Sequence, residues 1–183
     1  MTDNATGHAT LIRSVVFSHI ERNYRANKEE RTFVENSLGW LIGTYILLTA
    51  PDMFSRYIIG SASVWFDDSV ILSQAATRRN KSVKVYISVG TSKTPEYGGE
   101  QNMIAGAKAL ADKLSKIDML NLELKCSIIS GAYHETVFPT TAMQGLDWIG
   151  YIVNSGYAGY NNRWLSERFS ATSSLQSVHN GGR

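Results

Sequence analysis

Ser37 stands between a short apolar or β-branched run, Thr32 to Glu35, and the helical pattern Leu38, Leu41, Ile42, Tyr45 and Leu48. His134 follows another such run, Leu122 to Ile129, within Ser130-Gly131-Ala132-Tyr133-His134-Glu135. A hydroxyl at a strand-turn-helix junction and an imidazole in a loop after a strand are two parts of acyl-transfer chemistry: a nucleophile and the base that takes its proton. The third part, a carboxylate that orients the imidazole, has candidates in Glu96 and Glu100 after the third strand and in Asp67 and Asp68 after the second. Each residue also has an ordinary use. A serine before a helix is normally an N-cap, Asp67 and Asp68 would cap the helix that follows them, and a loop histidine is normally a solvated group, as we take His8, His19 and His179 to be. Glu96 and Glu100 have only their position in their favour, whereas Ser37 and His134 are set apart by where they fall.

The elements that must position them follow from periodicity. Ile12, Val16 and Ile20 recur at four-residue spacing and predict an amphipathic first helix that ends before Ala26 to Arg31, its stripe covering a sheet. Pro51 and Asp52 close the helix after Ser37, because proline cannot continue the hydrogen-bond ladder. Tyr57 to Ile59 and Val83 to Val89 are β-prone, and the second of these leads into a Gly/Pro/Thr-rich loop from Gly90 to Gly99. Ile104, Ala107, Leu110, Ala111, Leu114 and Ile117 share one face of a further helix, and Leu122 to Ile129 is the fourth strand. Pro139 and Thr140 are suited to open a last helix carrying Ala142, Leu146, Ile149 and Val153. A leading helix followed by alternating strands and helices requires crossover connections. It therefore predicts an α/β fold of three layers, a mainly parallel sheet with helices on both faces. In such sheets functional groups collect beyond the carboxyl ends of the strands, where Ser37 and His134 would lie.

With 183 residues, the chain has room for one packed domain and not for two of average size. We expect that domain over residues 1–153, with 154–183 as a partly mobile extension, because Ser170 to Arg183 has too few large apolar groups to offset the entropy of ordering it. Eighteen Lys plus Arg against sixteen Asp plus Glu, scattered along the chain, make no electrostatic footprint for nucleic acid. The single cysteine, Cys126, cannot form an internal disulfide, and no Cys/His cluster has zinc spacing. Gly98-Gly99 is too short a glycine signal for a phosphate cradle, so no cofactor or metal is indicated. Met1 to Thr10 lacks the basic and apolar regions of a signal peptide, and Leu41 to Ala50 is about half the ~20 residues of a membrane span. The expectation is a cytoplasmic protein with no membrane partner.

The order Ser, acid, His is that of α/β-hydrolases, in which a nucleophile elbow lifts the serine above the sheet. The likeness becomes specific over Tyr24-Arg25 to Arg31, Ser37-Leu38-Gly39-Trp40, Ala50-Pro51-Asp52-Met53-Phe54-Ser55-Arg56-Tyr57-Ile58 and Ser61-Ala62-Ser63-Val64-Trp65-Phe66-Asp67-Asp68. It continues in register through Tyr86-Ile87-Ser88-Val89-Gly90, the helix with Ala107 to Leu114, Gly131 to His134, Pro139 and Gly145-Leu146. Over roughly residues 15 to 150 the chain resembles the esterase D family of α/β-hydrolases, which includes siderophore esterases. The resemblance implies a serine carboxylic-ester hydrolase acting on a small ester, with Ser37 as nucleophile, His134 as general base and then acid, Glu96 as the orienting acid with Glu100 next, and the Leu38 amide facing the oxyanion.

Three departures stand against it. The family's elbow reads Gly-His-Ser-Leu-Gly-Gly, where this chain has Glu35-Asn36-Ser37-Leu38-Gly39-Trp40. The glycine before the serine lets strand and helix approach closely, so a glutamate there must find another way out of the contact. The family's acid lies just after Val-Gly, where Thr91, Ser92 and Lys93 stand here. The family's first strands, with the loop that supplies the second oxyanion donor, have no counterpart before residue 10. The strand carrying Ser37 should therefore be a sheet edge open to pairing with another chain, which predicts a homo-oligomer. The alternative to an enzyme is a catalytically inactive α/β-hydrolase remnant serving as a binding or assembly module.

Overall fold

The computed structural model describes residues 2–64, 66–77, 81–92, 102–117 and 121–150. Its elements are α1 (Thr2–Leu11), a π-helical stretch (Ile12–Val16), α2 (Phe17–Asn23), β1 (Thr32–Asn36), α3 (Gly39–Thr49), β2 (Arg56–Gly60), a 3-10 helix (Phe66–Leu72), β3 (Val83–Gly90), α4 (Met103–Ser115), β4 (Leu122–Ile129) and α5 (His134–Trp148). The four strands form one sheet in the order β1-β2-β3-β4, every pair parallel. Val34 pairs with Ile58, Ile58 with Tyr86 and Tyr86 with Lys125, which fixes the register across the sheet.

Because side chains alternate along a strand, each face carries its own set. Phe33, Tyr57, Ile59, Val85, Ile87 and Val89 join Ile46, Leu47 and Leu48 of α3 and Ala107, Leu110 and Leu114 of α4 in the main core. On the other face Ile58 and Tyr86 pack with Leu146, Trp148 and Ile149 at the end of α5. Gly145 permits that seating, since a β-carbon there would fall 2.6 Å from Cγ2 of Ile58. β2 and β3 are buried on both faces and read as continuous apolar runs, while edge strand β4 alternates between half-buried and exposed. The expected α/β class, parallel sheet and two helical layers are what the chain forms.

Two helices differ from expectation. The first begins at Thr2 rather than near Ile12, and Val16 and Ile20 of the expected stripe are exposed. The residues that face inward are Ala5, Ala9, Ile12 and Phe17. The five-residue step from Ile12 to Phe17 is wrong for an ordinary helix and right for a π turn, and the Phe17 amide donates to the Ile12 carbonyl. The packing partner of α1 is α3 rather than the sheet, with Thr6 Oγ1 and Tyr45 OH 2.8 Å apart. The last helix opens at His134, not at Pro139, because the Tyr133 amide donates to Thr136 Oγ1 at 2.9 Å and caps the chain one and a half turns earlier. Pro139 then sits inside α5 at the loss of one ladder bond.

Compact unit one of the chain is Met1–Ile149; the expected extension from residue 154 lies outside the described residues. No helix among the described residues is long and apolar enough to cross a membrane.

Candidate active site

All four strands point the same way, so their carboxyl ends form one rim. Ser37 leaves β1 at that rim with φ +58°, in the left-handed region that a residue with a β-carbon enters only under constraint. The constraint is visible: the Ser37 amide donates to the Gly60 carbonyl at the end of β2 (3.0 Å), while the Ser37 carbonyl accepts from the Trp40 amide (3.3 Å). The turn is thus pinned to the sheet on one side and to the first turn of α3 on the other, leaving the serine half-buried. Leu38 follows in right-handed geometry, so its amide is the first at the amino end of α3, where helix amides have no partner within the helix.

Ser61 repeats the pattern at the end of β2, with φ +48° and its amide donating to the Ser88 carbonyl at 2.8 Å. It is fully buried, and its hydroxyl has no hydrogen-bond partner among the described residues. Nothing in its sequence context distinguishes Ser61 from other strand-end serines.

His134 arrives from β4, on the far side of the sheet from β1. The chain between crosses back over the end of β3. The Thr91 hydroxyl accepts from the Gly131 amide (2.8 Å), the Thr91 amide donates to the Ile129 carbonyl (3.0 Å), and Ala132 lies so close above Gly90 that a β-carbon on the glycine would stand 2.8 Å from the Ala132 carbonyl carbon. α5 then packs under β2 and β3, and its Thr141 methyl comes within 3.2 Å of the place a β-carbon would take on Gly60. Asn36, the residue before Ser37, places Oδ1 at 2.8 Å from the same point. The helix that begins with His134 therefore reaches the strand ends next to Ser37. His134 is half-buried with Nδ1 inward, and it is the first residue of α5 rather than a loop residue as expected.

One buried pair holds α5 in place. Ser88 Oγ and Thr141 Oγ1 are 2.6 Å apart, and the Thr141 hydroxyl donates to the Val137 carbonyl at 2.9 Å. The single Thr141 proton is thereby used, so Ser88 is the donor between them.

The glutamate at the altered elbow does not turn out of the contact. Glu35 is 6 % exposed, and its side chain lies along α3 from Gly39 to Gly43, where β-carbons would stand 3.3 Å from Glu35 Cβ and 2.7 Å from Cδ. The absence of β-carbons at Gly39 and Gly43 leaves room for it. Both carboxyl oxygens are buried without a hydrogen-bond partner among the described residues. Burial pushes this carboxyl well above the usual range, offset in part by the nearby Gly43 amide. Trp40, the other departure, is fully buried in the main core.

Glu96, Glu100 and Lys93 lie outside the described residues, as does Trp65; Asp67 and Asp68 fall in the 3-10 helix. Two clefts, of about 360 and 260 Å³, lie at the amino ends of the strands, opposite Ser37. Among their basic residues, Lys28 and Arg31 pair with Glu21, Arg56 with Glu30, Lys81 with Glu29 and Lys84 with Glu123.

Comparison with known proteins identifies the family. Residues 3–121 match the family model Esterase, described as Putative esterase. The ferri-bacillibactin esterase BesA of Bacillus subtilis is 26% identical over 148 residues, 78% of this chain and 50% of that protein. The crystal structure of the BES protein from Bacillus cereus superposes with a TM-score of 0.67 at 26% identity, covering 80% of this chain and 56% of that one. The siderophore hydrolase EstB from Aspergillus nidulans shares the fold, with a TM-score of 0.63 at 17% identity over 79% of this chain and 57% of its own. The chain spans about half the length of the curated relatives it matches. With two thirds of its residues inside the family model and its sheet and helices shared with α/β serine hydrolases, the chain belongs to the esterase family of α/β-hydrolases.

Proposed function

We propose that this chain hydrolyses a small carboxylic ester by acyl transfer through Ser37. His134 takes the hydroxyl proton as Oγ bonds to the ester carbonyl carbon, and the oxyanion that forms is met by the Leu38 amide. His134 then gives the proton to the departing alcohol, and water, activated by the same imidazole, releases the acid and frees Ser37. Glu96 is the proposed orienting acid. The observation that carries this reading is the left-handed turn at Ser37, because a capping serine needs no such strain while a nucleophile presented to solvent does. The name of the curated relative, a ferri-bacillibactin esterase, directs the substrate search to siderophore esters.

Ser37→Ala should reduce p-nitrophenyl acetate hydrolysis by about 10³-fold or more. Unchanged turnover overturns the assignment. The second reading, an inactive binding or assembly module, is favoured by the altered elbow, where Glu35 and Trp40 stand in place of the family's glycines. Stoichiometric labelling by a fluorophosphonate probe supports the enzyme, and none supports the module.

We also propose that two copies associate through the outer edge of β1, whose neighbour on that side is absent among the described residues and whose Val34 is 40% exposed. Light scattering that finds a monodisperse monomer at working concentration overturns this.

A further inference from the structure

Glu35 stands two residues before Ser37, on the face of β1 that looks at α3. Its side chain fills the space between the strand and the helix, against Gly39 and Gly43. The turn that closes this notch at one end is Ser37-Leu38, held in left-handed geometry at Ser37. Whatever sets the separation of β1 and α3 here therefore also sets the direction of the serine hydroxyl. We propose that Glu35 is a positioning residue for Ser37: seated as a neutral acid in the notch, it holds the turn that presents the hydroxyl, and its ionisation loosens that turn.

Among the described residues the carboxyl has no charged ally. The ionisable side chain on α3 is Tyr45, bonded to Thr6. On β2 they are Arg56, paired with Glu30 at the opposite end of the strand, and Tyr57, a buried phenol on the same face. None of these moves the Glu35 equilibrium, which burial and the Gly43 amide set between them. Among the described residues a carboxylate here has no cation beside it and only the Gly43 amide for support, so its charge is best met by water, and the main chain that would have to yield to admit it carries Ser37. A glycine at this position would leave the strand-helix contact indifferent to pH; this chain has an acid there, seated against Gly39 and Gly43.

This inference rests on the reading of Ser37 as nucleophile, and the test separates the two. The fluorophosphonate labelling rate of Ser37 is measured from about pH 6 to about pH 10 in the wild type and in Glu35→Gln, a neutral side chain of the same shape. Relative to Glu35→Gln, the wild-type rate should fall, by up to about tenfold per pH unit, as the pH rises through the range in which Glu35 ionises. Glu35→Gln should label at the wild-type rate at the acid end of the range and show no such relative loss. Coincident alkaline limbs in the two proteins overturn the proposal.

Hydrogen exchange on the wild type gives a second measure that needs neither activity nor a variant that folds. Corrected for intrinsic base catalysis, exchange at residues 36–43 should accelerate at alkaline pH while β3 does not change. Uniform behaviour of both segments overturns the proposal. If Ser37 is not labelled at any pH, the nucleophile reading fails, and the exchange measurement still decides whether Glu35 controls the turn.

Discussion

The carboxyl of Glu35 and the bare α-carbon of Gly43 are two halves of one fit, because a β-carbon built on the glycine would fall 2.7 Å from Glu35 Cδ and 2.8 Å from Oε2. Strand and helix meet here with the Glu35 side chain between them, seated in the space two glycines of the helix leave open.

Gly43→Ala should accordingly cost roughly 1–3 kcal/mol by overpacking. Glu35→Gly, which empties the notch, should absorb most of that cost in the double variant. Urea unfolding of the two single variants and the double variant checks it: a coupling of at least about 0.5 kcal/mol is expected for residues in contact, and additive effects would show that the two do not share the space.

The buried acid makes stability depend on pH with a definite sign. The folded-state value of Glu35 is raised above its ordinary 4.5, so the folded protein holds the proton over a range in which the unfolded chain has lost it. Its contribution is fully present below about 4.5 and is lost as pH rises through the folded value. Thermal unfolding of Glu35→Gln and wild type should give similar midpoints in acid, with the variant increasingly more stable toward alkaline pH. A constant difference across the range would mean that the carboxyl does not titrate with folding.

Thr141 and Ser88 predict an asymmetric response to deletion. Thr141→Val leaves the buried Ser88 hydroxyl without its acceptor and should cost about 1–3 kcal/mol, whereas Ser88→Ala with Thr141→Val removes both partners and should cost less than the Thr141 change alone. Denaturant midpoints at constant slope measure both.

Gly90→Ala reaches the other proposed site residue. A β-carbon on Gly90 meets the main chain of Ala132, which cannot swing aside like a flexible side chain, so the segment 131–133 must shift and carry His134 with it. Fluorophosphonate labelling should fall by about tenfold or more, since sub-ångström to ångström misplacement of a base is expensive, while the far-UV spectrum stays that of the wild type. Undiminished labelling would show that the β3-end contact does not control the imidazole.

Much of this protein is written in local pattern. Strand β4 falls on Leu122–Ile129 as expected, β1 to β3 differ by a residue or two, and the parallel sheet follows from alternating strands and helices, because parallel neighbours require crossovers. The strand-turn-helix setting of Ser37 was legible for the same reason: a β-branched run, a small polar residue and a helical period are adjacent in the chain. The first helix was misjudged where an unpredictable π turn between Ile12 and Phe17 moved the inward face. The last was misjudged where a Thr136 side chain capped it ahead of the proline that seemed its natural start.

What needed the folded molecule is everything that depends on residues far apart in sequence. The left-handed turn of Ser37 is held by Gly60, the approach of His134 by Gly90 and Thr91, and the anchoring of α5 by Ser88 and Thr141. Sequence raised the question of how a glutamate could occupy a glycine's place at position 35, and only the packing of α3 against β1 answers it, through Gly39 and Gly43. Periodicity reports which side of an element is apolar, since that is a property of one segment. The space left between two elements is a property of both, and it is decided when they meet.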